Sequence, residues 1–391
     1  MAFTIVEVKD KSTRKEFLKL PISLYTNEPN WIRPLDTDIE SVFDTKKNKK
    51  FRNGEAIRWL LKDEQGKTIG RVAAFIDYQT ANNNDQPTGG IGFFECINNT
   101  EAANTLFDTC KKWLKARGME AMDGPVNFGE RDRWWGLLVE GYFEPNYCMD
   151  YHLKYYRELF ENYGFKPYFY QLTYHVPVTD EHVDPVVWEK AQRIAQNPEY
   201  SVKNVSKKNL GKFADDFVTI YNKAWGRFTG VGKMKKIQAL ALLKTIKPIL
   251  DERLMLFAYH NNEPIGMLIM VPDLNAAVKY LNGNFNLFGK LRLLYLLKVK
   301  SVCSKALGLI FGIIPQYQGK GIDGSLIKGF ANHALSKNYP YTDIELNWIG
   351  DFNPTMCKVA EQIGGKVRKR HLTLRYMFDP TKEVKPPRRV S

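Results

Sequence analysis

Two stretches of this chain repeat one another at a nearly fixed distance, and that limits the folds open to it more than any other feature. Ile57 to Ile76 reads as a hairpin: Trp59-Leu60-Leu61, a polar turn at Asp63-Glu64-Gln65-Gly66, then Ile69-Gly70-Arg71-Val72-Ala73-Ala74-Phe75. Leu254 to Met270 has the same layout, with a turn at His260 to Pro264 and Ile265-Gly266 opening its second strand. Later, helical patterns at Tyr155–Phe165 and Pro354–Gly365 each close on a glycine and pass into a strand, Tyr168–Tyr174 and His371–Tyr376. Gly70 answers Gly266 and Gly164 answers Gly364, an offset of about 200 residues both times. The chain therefore reads as two copies of one α+β unit (α/β by layer), joined near residues 176–186. The expected division is 1–178, 179–380 and a disordered tail, 381–391.

A chain of 391 residues with 44% hydrophobic content has enough apolar surface for two such cores. The longest uncharged apolar run, Ala306 to Pro315, falls far short of the ~18 residues of a membrane-spanning helix. The first residues lack the basic-then-apolar layout of a signal peptide. The five cysteines are scattered, without CxxC spacing, which argues against a disulfide framework or structural zinc; the expectation is a soluble cytoplasmic protein with no metal. The net charge of +14 favours an anionic partner, with nucleic acid, anionic lipid and a phosphate-rich cofactor all fitting, or reflects a generally basic surface tuned for solubility.

The two copies differ where chemistry is expected. In the first, strand Ile91–Ile97 passes through Asn98-Asn99 straight into a helix from Thr100 to Arg117. In the second, strand Leu307–Ile314 is followed by Pro315 and the loop Gln316-Tyr317-Gln318-Gly319-Lys320-Gly321 before helix Ile322–Leu335. Glycines at a helix start let backbone N–H groups approach an anion, the layout of a pyrophosphate site. Read with Gly324, the loop is Gly319-x-Gly321-x-x-Gly324, a dinucleotide fingerprint; read with Gln316, it is Gln316-x-x-Gly319-x-Gly321. Pro315 to Gln318 separate strand from glycine, and too little chain remains for a doubly wound sheet. The second parse is the better one.

That parse resembles the acyl-coenzyme A loop of the GNAT acyltransferase superfamily, whose motif is Gln/Arg-x-x-Gly-x-Gly/Ala between a strand and a helix. The flanking hairpin, the strand Thr342–Trp348, Asn353 and Gly364-Gly365 agree with it. The resemblance covers roughly 50–175 and 205–378, and the whole chain looks like an uncharacterised group of bacterial tandem-GNAT proteins. Shared phrases are Gly92-Phe93-Phe94-Glu95, Gly124-Pro125-Val126-Asn127-Phe128 and Gly136-Leu137-Leu138-Val139-Glu140-Gly141. It implies two tandem GNAT-like domains, mixed sheets flanked by helices, with acetyl-coenzyme A or a longer acyl-coenzyme A bound by the second. By similarity, backbone groups of Ile313 and Ile314 would pair with the pantetheine arm. The N–H groups of Gly319, Lys320, Gly321 and Ile322 would hold the pyrophosphate.

Acyl transfer to an amine needs positioning and proton handling. Along Thr342–Trp348, Asp343, Glu345 and Asn347 share one face, with Ile344, Leu346 and Trp348 on the other. Glu345, mid-strand beside the proposed cofactor cleft, reads as a general base or amine anchor, or as an acid on a solvated face. The superfamily's usual tyrosine acid would stand at Ala360, or at Phe160 in the first half. That departure leaves open Tyr317 as donor, or a protein that binds acyl-coenzyme A without turning it over.

Two inserts bear on the acceptor. Arg131, Arg133, Trp134 and Trp135 suit a carboxylate, phosphate or sugar, or fill the interface between halves. Leu281 to Lys305 mixes leucines with Lys290, Arg292, Lys298 and Lys300, which suits a membrane surface, a cover over an acyl chain, or packing on its own core. The expected acceptor is a small molecule or lipid, with no specific nucleic acid and the oligomeric state open.

Overall fold

The computed structural model describes residues 2–83, 86–226 and 233–385. The first half runs β1 (Thr4–Glu7), α1 (Lys11–Leu24), α2 (Asp36–Phe43), β2 (Gly54–Lys62), β3 (Thr68–Asp77), β4 (Thr88–Cys96), α3 (Thr100–Lys115), β5 (Ala121–Gly124), β6 (Leu137–Glu140), α4 (Tyr156–Tyr163) and β7 (Lys166–Pro177). The second runs α5 (Pro185–Ala195), β8 (Tyr200–Asn204), α6 (Leu210–Trp225), α7 (Lys236–Ile246), β9 (Met255–His260), β10 (Glu263–Pro272), α8 (Asn275–Val278), α9 (Leu287–Lys298), β11 (Lys305–Ile313), α10 (Ile322–Ala334), β12 (Asp343–Gly350), α11 (Pro354–Gln362) and β13 (Lys366–Met377). Of the expected tail, 386–391 lie outside the described residues.

Local chemistry accounts for these elements. In α3, Ala102, Ala103, Leu106, Phe107, Cys110 and Leu114 form one buried stripe. Asn99 caps it, its side chain accepting from the Ala102 N–H at 2.8 Å. Gly164 ends α4 in the left-handed conformation that glycine adopts at no steric cost. The result is the mixed α/β layering expected, with helices on the faces of a mixed sheet.

The repeats share one sheet, in the order β1-β2-β3-β4-β5-β13-β7-β12-β11-β10-β9-β8, with β6 also on β13. The last strand of each half sits in the other. β13 pairs antiparallel with β5, from Leu374↔Gly124 to Met377↔Ala121, while β7 pairs with β12, from Asp343↔Pro177 to Gly350↔Gln171. β7 and β13 then pair with each other, and Gln171 meets His371 at the middle of that ladder, both buried.

Each half also contains a parallel pair that separates. β4 and β5 are paired only from Thr88↔Ala121 to Gly90↔Asp123, and β11 and β12 only from Lys305↔Asp343 to Gly308↔Leu346. The first gap is closed by the chain itself: the Val126 N–H donates to the Ile91 carbonyl at 2.7 Å. A Cβ on Gly92 would stand 1.9 Å from the Val126 oxygen. The second gap is open.

Candidate functional site

A cavity of about 1410 Å³ begins where β11 and β12 part. That exceeds the ~300–1,000 Å³ usual for a small-molecule site, so it has room for an extended ligand. One wall is apolar: Leu268 and Met270 of β10, Ile344 and Leu346 of β12, Ile327 and Phe330 of α10, and Met356 and Val359 of α11. Tyr221 and Trp225 of α6 line another part, and the first half contributes Phe75, Val126, Phe128, Arg131, Trp135 and Tyr168. Arg375 also reaches the lining, where it holds Asp123 by two bonds of 2.6 and 2.8 Å and lies over the Tyr168 ring.

The glycine loop stands at the N-terminus of α10. Gly319 and Gly321 have φ of +72° and +96°, and Gly321 is the cap residue of the helix. The first N–H groups of a helix have no partner within it, and here no side chain is bonded over them. A Cβ at Gly319 would meet nothing within 4 Å, so the loop is open on that side. α5 flanks it: Arg193 donates to the Lys320 carbonyl at 3.3 Å, and Lys190 neutralises Asp323 at 2.9 Å. These donors fit a pyrophosphate.

The other expected cofactor contacts fare differently. The Ile314 N–H is spent on the Ile265 carbonyl, and the Ile313 carbonyl accepts from the Gln318 side chain at 3.0 Å. Strand alternation then turns the N–H groups of Phe311 and Ile313 to the edge that faces the gap. Ile322 is buried in the core, while Gln316 and Lys320 are exposed. Asn353 lines the cavity, and its side-chain oxygen caps α11 through the Met356 N–H.

Two residues expected to handle protons lie outside the cavity lining. The Tyr317 hydroxyl meets His260 Nδ1 at 3.0 Å, at the β9–β10 turn. Glu345 is 1% exposed and bound to Lys369 at 2.6 Å, Arg368 at 3.4 Å and Lys305 at 3.5 Å. Burial pushes its carboxyl up, but Lys369 and Lys305 outweigh burial and hold it below the ordinary range. Burial in turn pulls the Lys369 ammonium down to about 8 despite Glu345. A carboxylate held low and ringed by cations is a weak proton acceptor.

Asn347 connects this buried cluster with the cavity, whose lining it joins. Asn146, carried over from the first half, accepts from Lys305 at 2.7 Å and Lys369 at 3.3 Å through its Oδ1. Its Nδ2 donates to Asn347 Oδ1 at 2.7 Å. An ammonium has no acceptor, so both asparagine amides are fixed in orientation, and Asn347 keeps its own NH₂ free of that chain. Nothing in the sequence brings Asn146 to Asn347; the contact exists only because the halves interlock.

Of the four insert residues, Arg131 and Trp135 line the cavity, with the guanidinium 5.4 Å from the Trp135 ring. Trp135 Nε1 is buried and makes no hydrogen bond. Trp134 packs in the first-half core beside Phe93, and exposed Arg133 lies outside the lining. Among the described residues there is no cluster of three or more metal-ligating side chains.

No protein-family model matches the chain. It is 28% identical over 375 residues to a protein of Caulobacter vibrioides (strain NA1000 / CB15N) named bacterial ceramide synthase, covering 93% of this chain and 94% of that one. A tandem GNAT protein from the clavulanic acid biosynthesis pathway superposes with a TM-score of 0.55 at 9% identity, over 97% of this chain and 100% of that one. A GCN5-related N-acetyltransferase from Sphaerobacter thermophilus gives 0.52 at 10% identity, over 98% of each chain. The fold is that of the tandem GNAT proteins.

Proposed function

We propose that this chain is an acyl-coenzyme A-dependent N-acyltransferase that places a long acyl chain on the amine of a lipid. The observation that carries this reading is the size and apolar wall of the cavity, which opens between β11 and β12 and runs along the later turns of α10, the helix that the glycine loop begins. The loop suits the pyrophosphate, and the open edge of β11 suits the pantetheine arm. A ceramide is the amide of a fatty acid with a long-chain amino alcohol, so the relative's name supports a fatty acyl donor and a lipid amine. Arg131, beside the Trp135 ring, offers donors to the acceptor's polar end.

The amine nitrogen attacks the thioester carbonyl carbon; the C–N bond forms, the C–S bond breaks, and its electron pair leaves on sulfur. The proton lost by the amine ends on the thiolate by way of solvent. In this reading Asn347, a lining residue whose Oδ1 is taken by Asn146, donates its NH₂ to the carbonyl oxygen as charge gathers there. No side chain is assigned the acid's role.

One observation favours a second reading, a protein that binds acyl-coenzyme A without transfer. Ala360 and Phe160, where the usual tyrosine would stand, are fully buried, and Tyr317 is turned to His260. Release of free thiol from palmitoyl- and acetyl-coenzyme A, with sphinganine and with a panel of short amines, separates the two. Turnover confined to palmitoyl donor and sphinganine supports the proposal, and tight binding without turnover supports the alternative. Gly319→Glu, which adds a carboxylate where a side chain has space, should weaken coenzyme A binding at least about tenfold. Wild-type protein that binds no coenzyme A overturns both readings.

A further inference from the structure

Outside the cavity, the strongest unexplained surface is the outward face of α9. The hairpin of α8 and α9 is fastened to the first half. Arg33 donates to the Asn282 carbonyl at 2.9 Å, the Asp36 N–H donates to the Gly283 carbonyl at 2.9 Å, and Leu293 packs on the cluster that Ile32 and Leu35 form with Val278 and Leu281. Leu293, Leu296 and Leu297 are half-buried and turn inward. Leu287, Phe288, Leu291, Leu294, Tyr295 and Val299 stay in solvent, with Phe288 79% and Leu287 69% exposed. At 3.6 residues per turn, these six fall on one arc about 140° wide. Lys290 and Arg292 border the arc and Lys298 lies within it. No Asp or Glu occurs between Asp273 and Asp323.

An apolar arc on a fixed helix, edged only by cations, demands a partner that offers both hydrocarbon and negative charge. A second copy docking through this face would set lysine and arginine against lysine and arginine. A nucleic acid would match the charge and leave Leu287, Phe288 and Leu291 in water. The interface of an anionic bilayer meets both requirements: the arc enters the acyl boundary and the cations stay among the headgroups. We propose that α9 docks this protein on anionic membrane surfaces. The inference rests on this face alone and stands whether or not the chain is an acyltransferase.

Flotation of the full chain with phosphatidylcholine vesicles, and with vesicles that also contain phosphatidylglycerol, tests it. Binding should require phosphatidylglycerol and weaken with added salt. The triple variant Phe288→Ser, Leu291→Ser and Leu294→Ser should bind at least about tenfold less, and Lys290→Glu with Arg292→Glu should lose the lipid preference. Because these side chains are exposed, both variants should melt with the wild type. No binding to phosphatidylglycerol vesicles, undiminished binding by the triple variant, or a dimer that the triple variant abolishes would each overturn the proposal.

Discussion

Because an ammonium only donates, Lys305 and Lys369 decide which end of Asn146 they meet, and so which end of Asn347 faces the cavity. A buried cluster of this kind is costly to assemble and costly to break, so its function is sought in what it orients. If Asn347 donates to the reacting carbonyl, Asn347→Ala should lower kcat about 10²-fold while leaving acyl-coenzyme A affinity unchanged. Steady-state rates beside calorimetric binding decide this, and equal losses in affinity would make Asn347 a binding residue only. In β12 the alternation readable in the sequence separates Ile344 and Leu346 at the cavity from Glu345 on the far side, but Asn347 and Trp348 both reach the lining, past the irregularity that follows Leu346. What that far side means was not legible. Lys369 and Arg368 come from β13 and Asn146 from the first half, and no local pattern announces them.

At the scale of elements, the histidines beside the β7–β13 ladder are held neutral. His152 Nδ1 accepts the Leu138 N–H at 3.0 Å, and His371 Nε2 meets the Asp150 carbonyl at 3.1 Å. Burial drives His152 down to about 3 and His371 down to about 4. Both values are below the ordinary 6.5, so between pH 6.5 and about 4 the unfolded chain takes up protons that the folded chain refuses. The stability that these two neutral rings contribute is complete above pH 6.5 and is lost with acidification through that window, by about 2 kcal/mol per histidine at pH 5. Thermal melts of wild type and His371→Gln from pH 7 to pH 5 test this: the stability difference between them should shift against the wild type by about 2 kcal/mol on acidification, and a pH-independent difference would mean that the His371 ring is protonated within the fold. The hairpins β2–β3 and β9–β10, and the helices beginning at Thr100 and Ile322, follow from local signals of turn, cap and periodicity. The exchange of β7 and β13 does not. Strand alternation specifies the two faces a strand shows and is silent on which strand lies beside it.

At the scale of the molecule, the repeats have diverged into one open gap and one closed gap. Asn98 and Asn99 leave no room for a glycine loop in the first half, and Val126 occupies the space between β4 and β5. Titration with coenzyme A should therefore give one site per chain, abolished by Gly319→Glu, and two equivalent sites would show that the first gap opens. The first half serves the second instead, supplying Asn146, Arg131 and Trp135 to the shared cavity region.

The interleaving of β7 and β13 also fixes the order in which this protein can be made. Of the strands described, β13 leaves the ribosome last, yet it belongs in the centre of the sheet, between β5 and β7. Until it emerges β5 has an empty flank, and the first repeat lacks the strand that completes it. The usual economy of two-unit chains, in which the leading unit folds while the trailing one is still being synthesised, is denied here. The nascent chain carries unpaired strand edges until β13 emerges, and an unpaired edge is a template for pairing with other chains.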